Sequence, residues 1–196
     1  MNKFLILVGL IASTSAFAEA NKFSGFSVGL NTGFDTNSTY LSSQTATLGS
    51  NSTPFNFDAT YSFAIGSSSL LGLGLTYDLS NDVLYKGASG DGIIGDTTWK
   101  LKNHYSINLE PGYVVRDDAL VYAKVAYHSG KSNLSTLSLN KSISGWGYGF
   151  GGKFNLDKNL YMKVEAQHVI YNSFTYSTSN ITHKSTIGTI GLGYQF

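Results

Sequence analysis

The chain contains no cysteine and only two prolines and two methionines in 196 residues. Without cysteine it has neither a disulfide framework nor the cysteine through which bacterial lipoproteins are acylated. Charge is also sparse. Asp, Glu, Lys and Arg make up 13% of the chain, the formal net charge is +1, and no acidic or basic tail marks a nucleic-acid partner. Long apolar runs are missing too. The best is 4–12, too short to cross a bilayer as a helix, which takes about 20 apolar residues.

That short run belongs to a recognisable segment. Lys3 precedes it and Ala16-Phe17-Ala18 closes it, the layout of a secretory signal cut after Ala18 to leave Glu19 as the first mature residue. The domain reading is therefore a cleaved signal at 1–18 and a single domain at 19–196. A retained anchor helix fits the small-residue close less well. The rest of the chain is rich in glycine (22), tyrosine (13) and phenylalanine (12). Mean hydropathy is −0.03, far below that of a helical membrane protein. A transmembrane barrel averages out in this way, since each strand shows one face to lipid and the other to a polar interior.

Period-2 alternation runs through the chain. At 24–34, Phe26, Val28, Leu30 and Phe34 oppose Gly25, Ser27, Gly29, Asn31 and Gly33. At 55–65 the apolar set is Phe55, Phe57, Ala59, Tyr61, Phe63 and Ile65, and Asp58 faces the other way. A third strand carries Leu71, Leu73, Leu75, Tyr77 and Leu79 against Asp78. The fourth, 98–115, puts Trp99, Leu101, Tyr105, Ile107, Leu109 and Tyr113 outward and Lys100, Lys102, His104, Ser106, Asn108 and Glu110 inward. In the fifth, Val121, Ala123, Val125 and Tyr127 oppose Tyr122, Lys124 and His128. The sixth, 144–156, sets Trp146, Tyr148, Phe150, Phe154 and Leu156 against a row of glycines and Lys153. In the seventh, Leu160, Met162, Val164, Ala166 and Ile170 oppose Tyr161, Lys163, Glu165 and Gln167. The eighth closes the chain with Ile190, Leu192, Tyr194 and Phe196 on one side.

None of these bulky apolar faces carries Asp, Glu, Lys or Arg, and the charges share their face with Gly, Ser and Thr. A water-soluble up-and-down barrel would do the reverse. The pattern predicts an all-β, eight-stranded antiparallel up-and-down transmembrane barrel. Connectors alternate between tight turns (66–69, 116–119, 157–159) and long stretches rich in Ser, Thr, Asn and Gly (about 35–54, 80–97, 129–142, 172–184). Short inner turns and long external loops suit an outer-membrane barrel with periplasmic termini. Aromatics near strand ends read as interfacial girdles: Phe34, Tyr77, Trp99 and Trp146 toward the loops, Tyr113 and Phe154 toward the turns.

Four segments carry a family resemblance: Glu110-Pro111-Gly112-Tyr113, Leu120-Val121-Tyr122-Ala123-Lys124, Gly145-Trp146-Gly147-Tyr148-Gly149-Phe150-Gly151-Gly152 and Gly191-Leu192-Gly193-Tyr194-Gln195-Phe196. On these the chain resembles the small eight-stranded outer-membrane barrels of the OmpX and OmpA transmembrane-domain kind, over the whole mature length. The resemblance implies the outer membrane of a Gram-negative bacterium, a monomer surrounded by lipid and lipopolysaccharide, and no cofactor. It also implies a C-terminal signal (Ile190, Leu192, Tyr194, Phe196) read by the barrel-assembly machinery. It does not assign a task.

For chemistry, the inward charges come first. Asp58, Asp78, Lys100, Lys102, Glu110, Lys124, Lys153, Lys163 and Glu165 form an expected lumen network. Glu110 should face Lys124, Lys153 should lie near Lys163, and Asp58 should lie close to Asp78. Such a network either fills the interior of an eight-stranded barrel or gates a narrow pore. The inward glycines leave room for water. An enzyme is not expected. His128 and Ser129 are adjacent and so point to opposite faces, and His104 with Ser106, the better-spaced pair for an activated nucleophile, would sit in the lumen away from lipid. His168 reads as an interfacial anchor. No metal or phosphate motif is present, and the Gly-x-Gly runs are strand glycines. The expected role is structural and surface-exposed, with four loops that meet an external partner, adhesion being its specific form. A narrow passive pore is the alternative and a lipid-modifying enzyme a distant third.

Overall fold

The computed structural model describes residues 20–42, 46–86, 98–134, 139–176 and 179–196. The signal assigned to 1–18, with the cleavage point before Glu19, lies outside the described residues. A short 3-10 turn, Ala20–Phe23, precedes eleven strands: β1 Gly25–Leu41, β2 Ala46–Ser52, β3 Phe55–Ala64, β4 Ser69–Asp78, β5 Asp82–Lys86, β6 Thr98–Arg116, β7 Ala119–Leu134, β8 Leu139–Asn155, β9 Leu160–Tyr171, β10 Phe174–Tyr176 and β11 Ser179–Gln195.

Successive antiparallel pairing runs β1–β3–β4–β6–β7–β8–β9–β11, and β11 returns to β1. The sheet is thus a ring of eight strands with no open edge, the arrangement that satisfies every backbone group inside a bilayer. The other three strands, β2, β5 and β10, pair only with the loop-end parts of β1, β6 and β11. They raise the wall at one end of the ring.

Eight strands were expected and the ring has eight; β2, β5 and β10 are additions that bring the described residues to eleven strands. The extra length comes from segments assigned to long loops. β1 continues seven residues past Phe34, and β7, β8 and β11 likewise run into the Ser/Thr/Asn-rich stretches. Polar composition does not exclude a strand; it only removes the apolar face from which one is read. About 9–11 residues cross a bilayer as a tilted strand. β6, with 19 residues, therefore stands well clear of it at the loop end.

Side-chain direction follows the expected alternation over most of the wall. Leu30, Leu73, Ile107, Val125, Phe150 and Leu192 point outward and are 46–70% exposed, apolar surface that a lipid environment covers. β6 departs from it. Lys102 pairs with Lys131 and Tyr105 with Ser129, so β6 spends one residue more than β7 over that interval. This is a β-bulge, with Asn103 at φ 50°, a left-handed conformation that asparagine tolerates. One extra residue inverts everything beyond it. Trp99 and Leu101, expected outward, are buried at 2% exposure, and Lys100, expected in the lumen, is exposed. Lys102, half-buried, likewise leaves the lumen set.

Candidate functional site

The interior is built in three tiers. At the turn end, Ala20 and Phe23 of the 3-10 turn pack on Leu70, Val114 and Leu120. The turn is tied in place by Ala20 N donating to Ser67 O at 3.0 Å. The result is an apolar plug across the bottom of the ring.

Above it lies the charged tier. Lys163 Nζ meets Asp58 Oδ1 at 2.6 Å, and Lys124 Nζ lies 2.9 Å from Glu165 Oε1 and 3.6 Å from Glu110 Oε1. Tyr122 donates to Glu165 Oε2 at 2.9 Å. Lys153 sits over the rings of Tyr122 and Tyr161, at 5.9 and 5.4 Å from their centroids. Lys153 and Lys163 are direct cross-strand partners, as expected. Three carboxylates (Asp58, Glu110, Glu165) therefore balance three ammonium groups (Lys124, Lys153, Lys163). A buried charge is tolerable only when paired in this way.

Asp58 and Asp78 do not share a site. Asp58 lies opposite Thr76, and Asp78 opposite Asn56. Asp78 instead starts a second chain of contacts. Its carboxylate meets His104 Nδ1 at 2.5 Å, His104 Nε2 meets His128 Nδ1 at 3.0 Å, and His128 Nε2 meets Gln167 Nε2 at 2.9 Å. Ser106 donates to Asn108 at 2.8 Å, so its hydroxyl hydrogen is directed away from His104. A cavity of about 30 Å³ remains beside these groups, lined by Asn31, Asn56, Thr76, Asp78, His104 and Gln167 among others. That is room for a water or two.

The inward glycines seat large partners rather than leaving a channel. A Cβ at Gly147 would lie 2.5 Å from Gln167 Nε2 and 2.6 Å from His128 Nε2; one at Gly193 would strike the Tyr161 ring. Tyr161 in turn donates to Val28 O at 3.2 Å.

The third tier caps the loop end. Leu84 and Tyr85 of β5 pack with Trp99, Leu101, Ile143, Val169, Tyr171 and Ile181 from the ring. Below them Asp82 is 4% exposed and receives the Ser52 hydroxyl at 3.4 Å. Burial, then the neighbouring Asp78 and Asp35, push the Asp82 carboxyl up to about 8. His183, facing Trp99 edge-on, is lowered to about 4 by burial. Among the described residues, Asp78, Asp82 and His104 are the set whose ligand atoms, within 4.8 Å of one another, could hold a divalent cation.

Of the expected girdle, Phe34, Tyr77, Tyr113 and Trp146 are exposed on the outer face and Phe154 is half-buried. Trp99 has moved to the cap. Ile190, Leu192, Tyr194 and Phe196 all lie exposed on the outer face of the last strand. Sequence reasoning put Tyr122, His128 and Tyr161 on the inner face without their partners, and it did not name Tyr171. It also missed the bulge, although the run Lys102-Asn103-His104 is a visible break in alternation.

Comparison with known proteins agrees with this architecture. The crystal structure of Ail, the attachment invasion locus protein of Yersinia pestis, in complex with the heparin analogue sucrose octasulfate, superposes with a TM-score of 0.52 at 15% identity, over 88% of this chain and 99% of that one. Neisserial surface protein A gives 0.50 at 14% identity, over 88% and 98%. OprG from Pseudomonas aeruginosa gives 0.50 at 15%, over 88% and 96%. At these identities the likeness is one of fold. No curated protein matches the sequence. The model of the outer membrane protein beta-barrel domain matches residues 4–196, and the chain belongs to that family.

Proposed function

We propose that this chain is a structural, surface-exposed component of the outer membrane, a monomeric barrel anchor that holds a raised platform of strands outside the cell. Its termini lie in the periplasm, residues 1–18 are removed on export, and the last strand serves the assembly machinery. Attachment to an external surface through the loop-end strands is the specific form of the role, and no catalysis is involved.

The filled lumen carries this conclusion. Among the described residues, an apolar plug at each end encloses an interior whose charged tier is balanced and whose cavity has room for a water or two. A hydrated ion would have to break two dry contacts and separate paired charges, so the rival reading, a narrow passive pore, lacks a path. Single-channel recording of the refolded barrel in planar bilayers tests it. Silence is expected from protein shown to be folded by its heat-shifted gel mobility. Discrete, reproducible openings would replace the structural role with transport.

A further inference from the structure

The bulge at Asn103 has a consequence on the outer surface. Beyond it, Lys100 and Lys102 of β6 point outward, and Lys102 lies directly opposite Lys131 of β7. Leu101, Gly130 and Ser132 are buried on the inner side, which fixes Lys100, Lys102 and Lys131 on the outer one. Like charges facing each other across a ladder repel. Among the described residues, no carboxylate neutralises them. Every Asp and Glu among the described residues is either directed inward (Asp35, Asp58, Asp78, Asp82, Glu110, Glu165) or sits in a turn at the far end (Asp117, Asp118, Asp157).

The surface beneath the three lysines is ordered by polarity. Tyr105 is the next outward residue on β6, and past Ser129 and Ser144 come Tyr127 of β7 and Trp146 of β8, in edge contact at 5.4 Å. Ile107, opposite Tyr127, and beyond it Leu109, Val125 and Phe150 continue the wall, all exposed. Across the bulge, Lys102 and Tyr105 face Lys131 and Ser129, two residues apart on β7, so about 7 Å of wall lies between them. Cations therefore stand about one headgroup above an aromatic belt, which stands above an aliphatic wall. A soluble anion would match only the top of this sequence. An amphiphile with phosphates on its head and hydrocarbon below matches all of it.

We propose that Lys100, Lys102 and Lys131 form a site for the phosphate groups of a phosphorylated glycolipid in the outer leaflet, whose acyl chains lie along the β6–β7–β8 wall. The site rests on the reading that the loop end faces outward.

The test uses the full barrel in neutral phosphatidylcholine vesicles, with dansyl-labelled bisphosphorylated lipid A or the same lipid after dephosphorylation as probe. Tryptophan-to-dansyl energy transfer reports binding. The wild type should prefer the phosphorylated probe by roughly 100-fold, about fivefold for each lysine at an anionic lipid surface. K100A/K102A/K131A should lose that preference, and K22A/R116A/K158A at the turn end should keep it. Equal binding of both probes by the wild type overturns the site, and so does an unchanged preference in the folded triple variant. Should that variant fail to fold, the wild-type preference decides together with K100R/K102R/K131R, which must retain it. Orientation is read separately. The chain has no cysteine, so Ser142→Cys, exposed at the loop end, should react with an impermeant maleimide on intact cells. No labelling there would overturn the outward orientation whatever the vesicles show.

Discussion

The lower and upper parts of the barrel wall obey opposite rules. Where lipid surrounds the ring, Val125 and Ile107 face out and Lys124 and Glu110 face in. Where the wall rises past the bilayer, Trp99 and Leu101 face in and Lys100 faces out. The upper part has the core of a water-soluble protein; the lower part has it inside out. One physical preference, apolar surface away from water, produces both. β9 makes the change by residue choice alone, passing from Lys163, Glu165 and Gln167 to Val169 and Tyr171 on the same inner face. β6 makes it with a bulge.

This contrast can be broken from either side. Lys124→Met should do most damage, because it strands Glu165 and Glu110 in the lower interior; breaking such a pair costs about 3–5 kcal/mol. Urea unfolding in vesicles should show it, with much of the loss recovered when Glu110→Gln and Glu165→Gln are added. An unchanged midpoint would mean that the charged tier contributes nothing. Trp99→Ala removes the largest side chain of the upper core, a loss of about 3 kcal/mol. Its effect should be local, with faster hydrogen exchange in β5 and β10 and an unaltered urea midpoint for the ring. A global shift would show that the two parts are one cooperative unit.

The smallest effect sharpens the comparison through pH. Asp82 is faced by Asp35 from β1, Ser52 from β2, Asp78 from β4 and His104 from β6. With its value raised from 3.8 to about 8, its protonated form is the one the fold prefers. That contribution is complete below the unfolded value and fades as pH rises through about 8. His183, lowered to about 4, works the other way, fading as pH falls below 6.5. Asp35, raised to about 6 by burial, fades earlier in the same direction as Asp82, so above pH 6.5 most of the slope belongs to Asp82. β5 should open more readily at pH 8.5 than at 6.5, by hydrogen exchange corrected for intrinsic rate, and Asp82→Asn should flatten the slope. A variant with the wild-type slope would clear Asp82 of the role.

The lower wall was legible in the sequence because each strand there separates two solvents, and alternation is the direct record of that. Lys124 with Glu110, and Lys153 with Lys163, followed from turn position and parity. The upper wall was not legible. With water on its outer face, polar residues such as Thr36, Asn37, Ser38 and Thr39 are compatible with strand and loop alike, and the ladder that fixes them comes from β11. Trp99, Lys100 and Lys102 were misplaced for a narrower reason: parity survives only until one residue is added. Asp78 found His104 rather than Asp58 because the β3–β4 register sets the two carboxylates one pair apart along the hairpin.

Tyr161 bears on how the ring can come apart. It springs from β9, lies across Gly193 of β11 and donates to Val28 of β1, so one side chain fastens three neighbouring strands around the line where the two ends of the chain meet. That joint is one continuous ladder from Ser27 to Leu41, whereas the other flank of β1 is laddered by two strands, β3 from Gly25 to Thr32 and β2 from Asp35 to Leu41. A sideways breach is expected to start at the interruption between β2 and β3, on the opposite flank of β1, rather than at the latched joint of the two termini.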